Sequence, residues 1–300
     1  MIVLNETKVG YAYVLLAATL WGLIGPFAKL AFQEGVTPLE VAFWRATLGA
    51  FFFGLHVLVI GKWRVKGHDV PAFVFFGLIC VGLFYGAFQK AVDLGGASMA
   101  AVLLYTAPAW VALLARLFLG EQLGNLKLFA LAATLLGVLG VSLGPDGIKA
   151  LHNGSWNQAA IGYGLLSGLT YALYYIFGKR YLEGYSAATV MVYALPIGAI
   201  ALYPWVEFQD KTATAWYALV VLAFVSTYGA FLAYSAGLRR LEATRASVVA
   251  TFEPVVAAFV AYIWWDERLG PLGLTGSVLI ITAVLVMVWS KSVPRRRKSC

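Results

Sequence analysis

Ten apolar runs, each close to the length of a membrane-spanning helix, dominate this chain and leave it very few folds to adopt. They fall near 11–32, 40–60, 71–92, 98–119, 126–144, 159–178, 186–205, 215–237, 246–265 and 270–290. About 20 residues of helix cross the ~30 Å of hydrocarbon in a bilayer. Strands are excluded as the spanning element, because the runs do not alternate and lipid cannot satisfy an open strand edge. The expected fold class is an all-α integral membrane protein with ten transmembrane helices. Composition agrees, since charged residues fill 12% of the 300 positions against about 25% in soluble domains. The first run is too long for a cleavable signal peptide and reads as the first span.

A net charge of +8 could suggest a nucleic-acid partner, but the placement of the charges points to topology instead. With the N-terminus in the cytoplasm, 16 of the 22 Lys and Arg residues fall on the inner side. Among them are Lys62, Arg64 and Lys66, the group Arg239, Arg240 and Arg245, and the tail Arg295 to Lys298. Lys29, Arg45, Lys90, Lys149, Lys211 and Arg268 fall outside. The positive-inside rule then places both termini in the cytoplasm of a multi-pass inner-membrane protein. The basic tail reads as a stop-transfer flank lying against anionic headgroups. Cys80 and Cys300 are too few for a disulfide framework.

The second half of the chain repeats the first. At an offset of 146, Ala97-Ser98 falls over Ala243-Thr244, Pro108 over Pro254, Ala112 over Ala258, and Glu121-x-Leu123-Gly124 over Glu267-x-Leu269-Gly270. Near the start of each half an offset of 150 aligns Leu15-Leu16, Trp21, Phe27 and Lys29 with Leu165-Leu166, Tyr171, Phe177 and Lys179. Pro, Glu and Gly matching in register separate this from chance similarity between leucine-rich helices. Five spans per half is odd, so the second half enters the membrane upside down. The expected organisation is a first five-helix repeat at 1–144, an external linker at 145–158, a second repeat at 159–290 and a basic tail at 291–300. Inverted repeats are a recurrent device of secondary transporters, with the substrate bound near the midplane between the halves.

Candidate substrate contacts are polar and aromatic side chains that share a helix face with small residues. Ser167, Tyr171, Tyr174 and Gly178 form one stripe at i, i+3 and i+4 spacing, with Tyr175 beside it. Tyr85 and Gln89 in the third span, Tyr105 in the fourth, Trp21 in the first, Tyr228 in the eighth and Thr251 in the ninth complete the set. A phenol buried in a bilayer needs a hydrogen-bond partner, which a substrate in a central cavity can supply. The competing reading makes these residues interfacial anchors or packing donors. Glu253, just before Pro254, is the most deeply placed acid and joins the substrate-binding set. It either carries a coupling proton or bonds a neighbouring helix turn. Arg45, Lys90 and Arg116 read as snorkelling anchors. Glu121 and Glu267 read as caps of the helix that follows each, or as partners of residues such as Arg268. Prolines 26, 108, 196 and 254 lie within spans and should bend them.

No metalloprotease, nucleophile-elbow or phosphate-loop motif is present, so no catalytic residue, metal or cofactor is expected. The chain resembles the EamA-type members of the drug/metabolite transporter superfamily over essentially its whole length. The resemblance rests on Leu20-Trp21-Gly22 with Pro26, on Ala97-Ser98 through Tyr105-Thr106-Ala107-Pro108 to Leu119-Gly120-Glu121, and on Ala243-Thr244-Arg245-Ala246-Ser247-Val248 with Glu253-Pro254. It implies a central cavity lined by spans one, three, four, six, eight and nine, and export of amino acids or related metabolites. The four-helix small multidrug resistance pumps carry a proton-coupling glutamate in their first span. That span has no acid here, which favours facilitated diffusion or exchange. The expected partners are a small-molecule substrate and the lipid bilayer, without nucleic acid, and the chain is expected to act as a monomer. Sugar-phosphate exchange is a weaker reading, because phosphate calls for buried cation clusters. A non-transport intramembrane enzyme is weaker still.

Overall fold

The computed structural model describes residues 2–143 and 158–290. Ten helices are long and apolar enough to cross a membrane: α1 (Glu6–Gln33), α2 (Pro38–Ile60), α3 (Gly67–Ala97), α4 (Met99–Leu119), α5 (Asn125–Leu143), α6 (Gln158–Tyr181), α7 (Ala187–Trp205), α8 (Ala213–Arg240), α9 (Ala243–Trp265) and α10 (Pro271–Trp289). No strand occurs among the described residues. The expected linker, apart from Gln158 at the start of α6, and the expected basic tail lie outside the described residues, as does Cys300. The third span is longer than the hydropathy run at 71–92, beginning at Gly67. It joins α4 through Gly96, whose φ of 81° a residue with a Cβ adopts only at a cost.

Packing follows the repeat. α1 lies against α8 and α9, and its counterpart α6 lies against α3 and α4. α2 packs along α7 and α8, while α7 packs along α2 and α3. α5 and α10, the last helix of each half, pair with each other. Exchanging the halves maps each contact onto another or onto itself. Close approach depends on small residues, as expected where lipid supplies no hydrophobic drive between helices. A Cβ at Gly137 of α5 would sit 2.7 Å from the carbonyl oxygen of Gly276 in α10. Large side chains such as Leu58, Val59, Phe118, Ile200 and Trp289 are exposed outward and form the lipid-facing surface.

Even the irregularities repeat. Residues Phe76–Leu83 of α3 and Leu222–Gly229 of α8 are both π-helical, at the offset of 146 that aligns the sequences. π-Helical turns within α-helices concentrate at functional segments. α4 and α9 end alike, with left-handed residues at Gly120 (φ 68°) and Asp266 (φ 52°). In each, the following glutamate N–H reaches back six residues, Glu121 to Ala115 O at 3.1 Å and Glu267 to Ala261 O at 3.4 Å.

Candidate functional site

The centre of the molecule is built by two broken helices. α4 interrupts at Tyr105-Thr106 and resumes at Ala107; α9 interrupts at Thr251-Phe252 and resumes at Glu253. Pro108 and Pro254 stand in the first turn of the resumed segments, where a missing N–H is tolerated. Neither proline can donate to the carbonyl four residues earlier, so the helix cannot run through. The local bonds match residue for residue: Ala109 and Trp110 N–H groups reach Thr106 O, and Val255 and Val256 N–H groups reach Phe252 O. The first helix of the opposite half supports each break with a glycine. Gly22 of α1 packs on Val256 and the Glu253 carbonyl, and Gly168 of α6 on Leu103 and Thr106.

Between the breaks and α6 lies a cavity of about 10 Å³, roughly the room of one water. α4 contributes Tyr105, Ala107 and Pro108, α6 contributes Tyr171 and Tyr175, and α9 contributes Ser247, Ala250, Thr251 and Glu253. The Tyr175 hydroxyl donates to the Tyr171 hydroxyl at 3.4 Å. The Tyr105 hydroxyl lies beside the Glu253 carboxylate. Five of the ten residues expected from sequence therefore meet at one place: Tyr105, Tyr171, Tyr175, Thr251 and Glu253. Helical discontinuities around a midplane cavity, in two inverted halves, are how many transporters form a substrate site.

The EamA-like transporter family matches the chain twice, over residues 8–143 and 158–289. The chain belongs to that family. It is a multi-pass membrane transporter, and the enzyme reading falls away. An uncharacterized transporter of Archaeoglobus fulgidus is 29% identical over 280 residues, covering 93% of this chain and 96% of the relative. A protein of Streptantibioticus cattleyicolor named a probable terminal-alkyne amino-acid exporter is 23% identical, covering 98% of this chain and 97% of its own. An uncharacterized inner membrane transporter of Salmonella typhimurium is 25% identical, covering 95% and 96%. A crystal structure sharing 16% identity superposes with a TM-score of 0.79 over 94% of this chain and 96% of that one. That likeness establishes the shared fold.

The EamA frame places the other five expected residues off the cavity lining. Trp21 and Tyr174 form its aromatic backing. Trp21 meets Tyr234 at 5.2 Å between ring centroids, and Tyr174 meets Tyr234 at 5.4 Å and stacks on Phe231 at 5.3 Å. Tyr174 is 4% exposed, and its hydroxyl points to the Met191 sulfur at 3.9 Å rather than into the cavity. Tyr85 sits under the Arg45 guanidinium at 5.5 Å. Gln89 is half-buried on α3, outside the lining. Tyr228 is turned to α2, where its hydroxyl bonds His56 Nδ1 at 2.9 Å and its ring packs on Phe53. Helical spacing alone could not separate these faces, because aromatic residues stand on more than one face of the helices that carry them.

Sequence reasoning missed Ser247, which lies one turn before Thr251 on the same face of α9; that spacing was the available signal. It also read Arg45 as an anchor. The structure holds Arg45 half-buried, with an Nε that has no hydrogen-bond partner, and within electrostatic reach of Glu253. Glu121 does not cap the helix that follows it. Its carboxylate instead accepts from Ala243 N at 2.6 Å and from Thr244 N and Oγ1 at 3.1 and 2.7 Å, at the start of α9 in the other half. Glu267 pairs with Lys29, while Arg268 turns to Asp266 at 3.5 Å.

Proposed function

We infer that this transporter moves small zwitterionic metabolites, amino acids foremost, out of the cell by alternating access through the cavity between α4, α6 and α9. The observation that carries this reading is the meeting of the two helix breaks at a cavity with a single carboxylate, Glu253. A carboxylate beside hydroxyls suits an ammonium group, and the surrounding Tyr171, Tyr175 and Tyr105 rings suit an apolar or aromatic side chain. The cavity lining contains no Lys or Arg, which disfavours phosphorylated cargo. The amino-acid exporter named in Streptantibioticus cattleyicolor supports the same cargo class. Room for about one water means that cargo enters only when α4 and α9 part on one side, as alternating access requires. The excess of Lys and Arg on one side of the spans supports an orientation with both termini in the cytoplasm of the inner membrane, and we take the monomer as the working unit.

Purified protein in liposomes, loaded with a panel of labelled amino acids and metabolites, tests this directly. Downhill flux of at least one amino acid, inhibited by excess unlabelled substrate, is expected. No movement of any amino acid in either direction would overturn the cargo assignment. Imposing a pH gradient separates the coupling modes, because facilitated diffusion or exchange predicts flux indifferent to it.

A further inference from the structure

Glu121 and Glu267 occupy the same place in the two halves, yet they do different things. Glu121 is 8% exposed and closes the start of α9, taking three hydrogen bonds from Ala243 and Thr244. Ala243 there is fully buried. The Glu267 side chain is 55% exposed and is held by Lys29. The segment that the offset of 146 pairs with Ala243-Thr244 is Ala97-Ser98, which leads into α4, and Ala97 is exposed. One end of the molecule is thus shut by a carboxylate on the opposite half's broken helix, and the other end is open at the corresponding place.

Resting on the alternating-access reading, we propose that Glu121 and Glu267 are alternating latches, each capping the first turn of the other half's broken helix when its side of the membrane is closed. A carboxylate accepting N-terminal N–H groups of a helix makes charge-assisted bonds and complements the helix dipole. The structure shows the state with the Glu121 latch closed. In the opposite state Glu267 leaves Lys29 for the backbone N–H groups of Ala97 and Ser98, and Glu121 leaves α9 for Lys179. Lys179 is the repeat counterpart of Lys29 and stands at the same end of the membrane as Glu121; here it is buried and donates to the Leu238 carbonyl at 2.6 Å, a bond it exchanges for Glu121 in that state. Each latch is a positioning residue: it sets where a broken helix begins and so which way the cavity opens.

The two latches are unequally reinforced. Around the closed one, Glu242 pairs with Lys127 at 2.9 Å and with Arg245 at 2.8 Å, and Arg245 donates to the Tyr11 hydroxyl at 2.7 Å. These bonds tie α1, α5 and α9 together on that side. The counterparts of Glu242, Arg245 and Lys127 in the repeat are Gly96, Met99 and Gly273, which cannot form such a network. The state with the Glu121 side shut is therefore the resting one.

Cysteine labelling at both ends tests this without any cargo. In a background with Cys80 and Cys300 replaced, Ala97→Cys and Ala243→Cys are separate reporters, read in proteoliposomes with a membrane-impermeant maleimide. The Ala97 reporter is expected to react at least tenfold faster than the Ala243 reporter. Adding Glu121→Ala should raise Ala243 labelling at least tenfold and lower Ala97 labelling by a similar factor; Glu121→Asp should restore both. Glu267→Ala, at an exposed site that tolerates change, should suppress the Ala243 reporter further and slow exchange. If Glu121→Ala raises one reporter without lowering the other, Glu121 is a structural cap only and the proposal fails. If reciprocal labelling holds while no amino acid moves in the flux assay, the latches stand and the cargo reading falls.

Discussion

The breaks in α4 and α9 are two copies of one backbone design carrying different chemistry. Both interrupt at equivalent residues, both resume ahead of a proline, and their hydrogen bonds correspond. At the position where α9 presents Glu253, α4 presents Ala107; where α4 presents Tyr105, α9 presents Thr251; and Ser247 answers to Ala101. The backbone is symmetric because the same helices must exchange roles across the membrane. The side chains diverge because a single cavity is shared, and it needs one carboxylate facing one aromatic wall. Two carboxylates there would repel each other at low dielectric.

Removing Glu253 should break this asymmetry most severely. Glu253→Gln is expected to lower amino-acid flux roughly 10- to 100-fold, the loss typical of a charged hydrogen-bond partner, while leaving the helical circular-dichroism signal intact. Flux within twofold of the native protein would show that the carboxylate plays no part in binding. The prolines come next. Pro108→Ala and Pro254→Ala each allow a helix to run on through its break, and each should cut flux by roughly tenfold, since Pro would cost about 3 kcal/mol inside a continuous helix and so keeps the break in place. Similar effects from the two would confirm that the breaks act as a pair, whereas a loss from only one would mean that a single half moves.

Tyr174→Ala should reduce flux several-fold more than Tyr13→Ala, because Tyr174 backs the cavity wall and Tyr13 is 37% exposed on the outside of α1. The truncation also leaves a void costing about 3 kcal/mol, so flux must be normalised to folded protein; equal normalised values would show that the aromatic backing does not shape the cavity. Tyr228→Phe is the smallest change. It deletes the bond to His56 at about 1 kcal/mol and should leave flux within about twofold, marking α8 as scaffold at that level.

Much of the fold was legible because a bilayer makes few demands and makes them bluntly. Ten runs of spanning length, the registered Pro108/Pro254 and Glu121/Glu267 pairs, and the odd number of spans per half point to ten helices in two inverted repeats. Half of the candidate site was legible too, where a titratable or hydroxyl side chain adjoined a proline or a small-residue stripe. Trp21, Tyr85, Gln89, Tyr174 and Tyr228 were expected at the site but lie off the cavity lining, because helical spacing does not say which aromatic face looks inward. Gly96, with its positive φ, and the paired π-helical segments of α3 and α8 left no hydropathy signal either.

The sequence by itself determined the number of spans, their inversion, and the family to which the chain belongs, since these depend on length, period and repeated landmarks that are local in the chain. Tertiary structure alone decided which rings meet Glu253, why Arg45 is more than an anchor, and that Glu121 reaches across to the start of α9 while Glu267 is held by Lys29. Those choices join residues far apart in the chain, and only the packing of two inverted halves sets which of two equivalent carboxylates is the one at rest on a helix terminus.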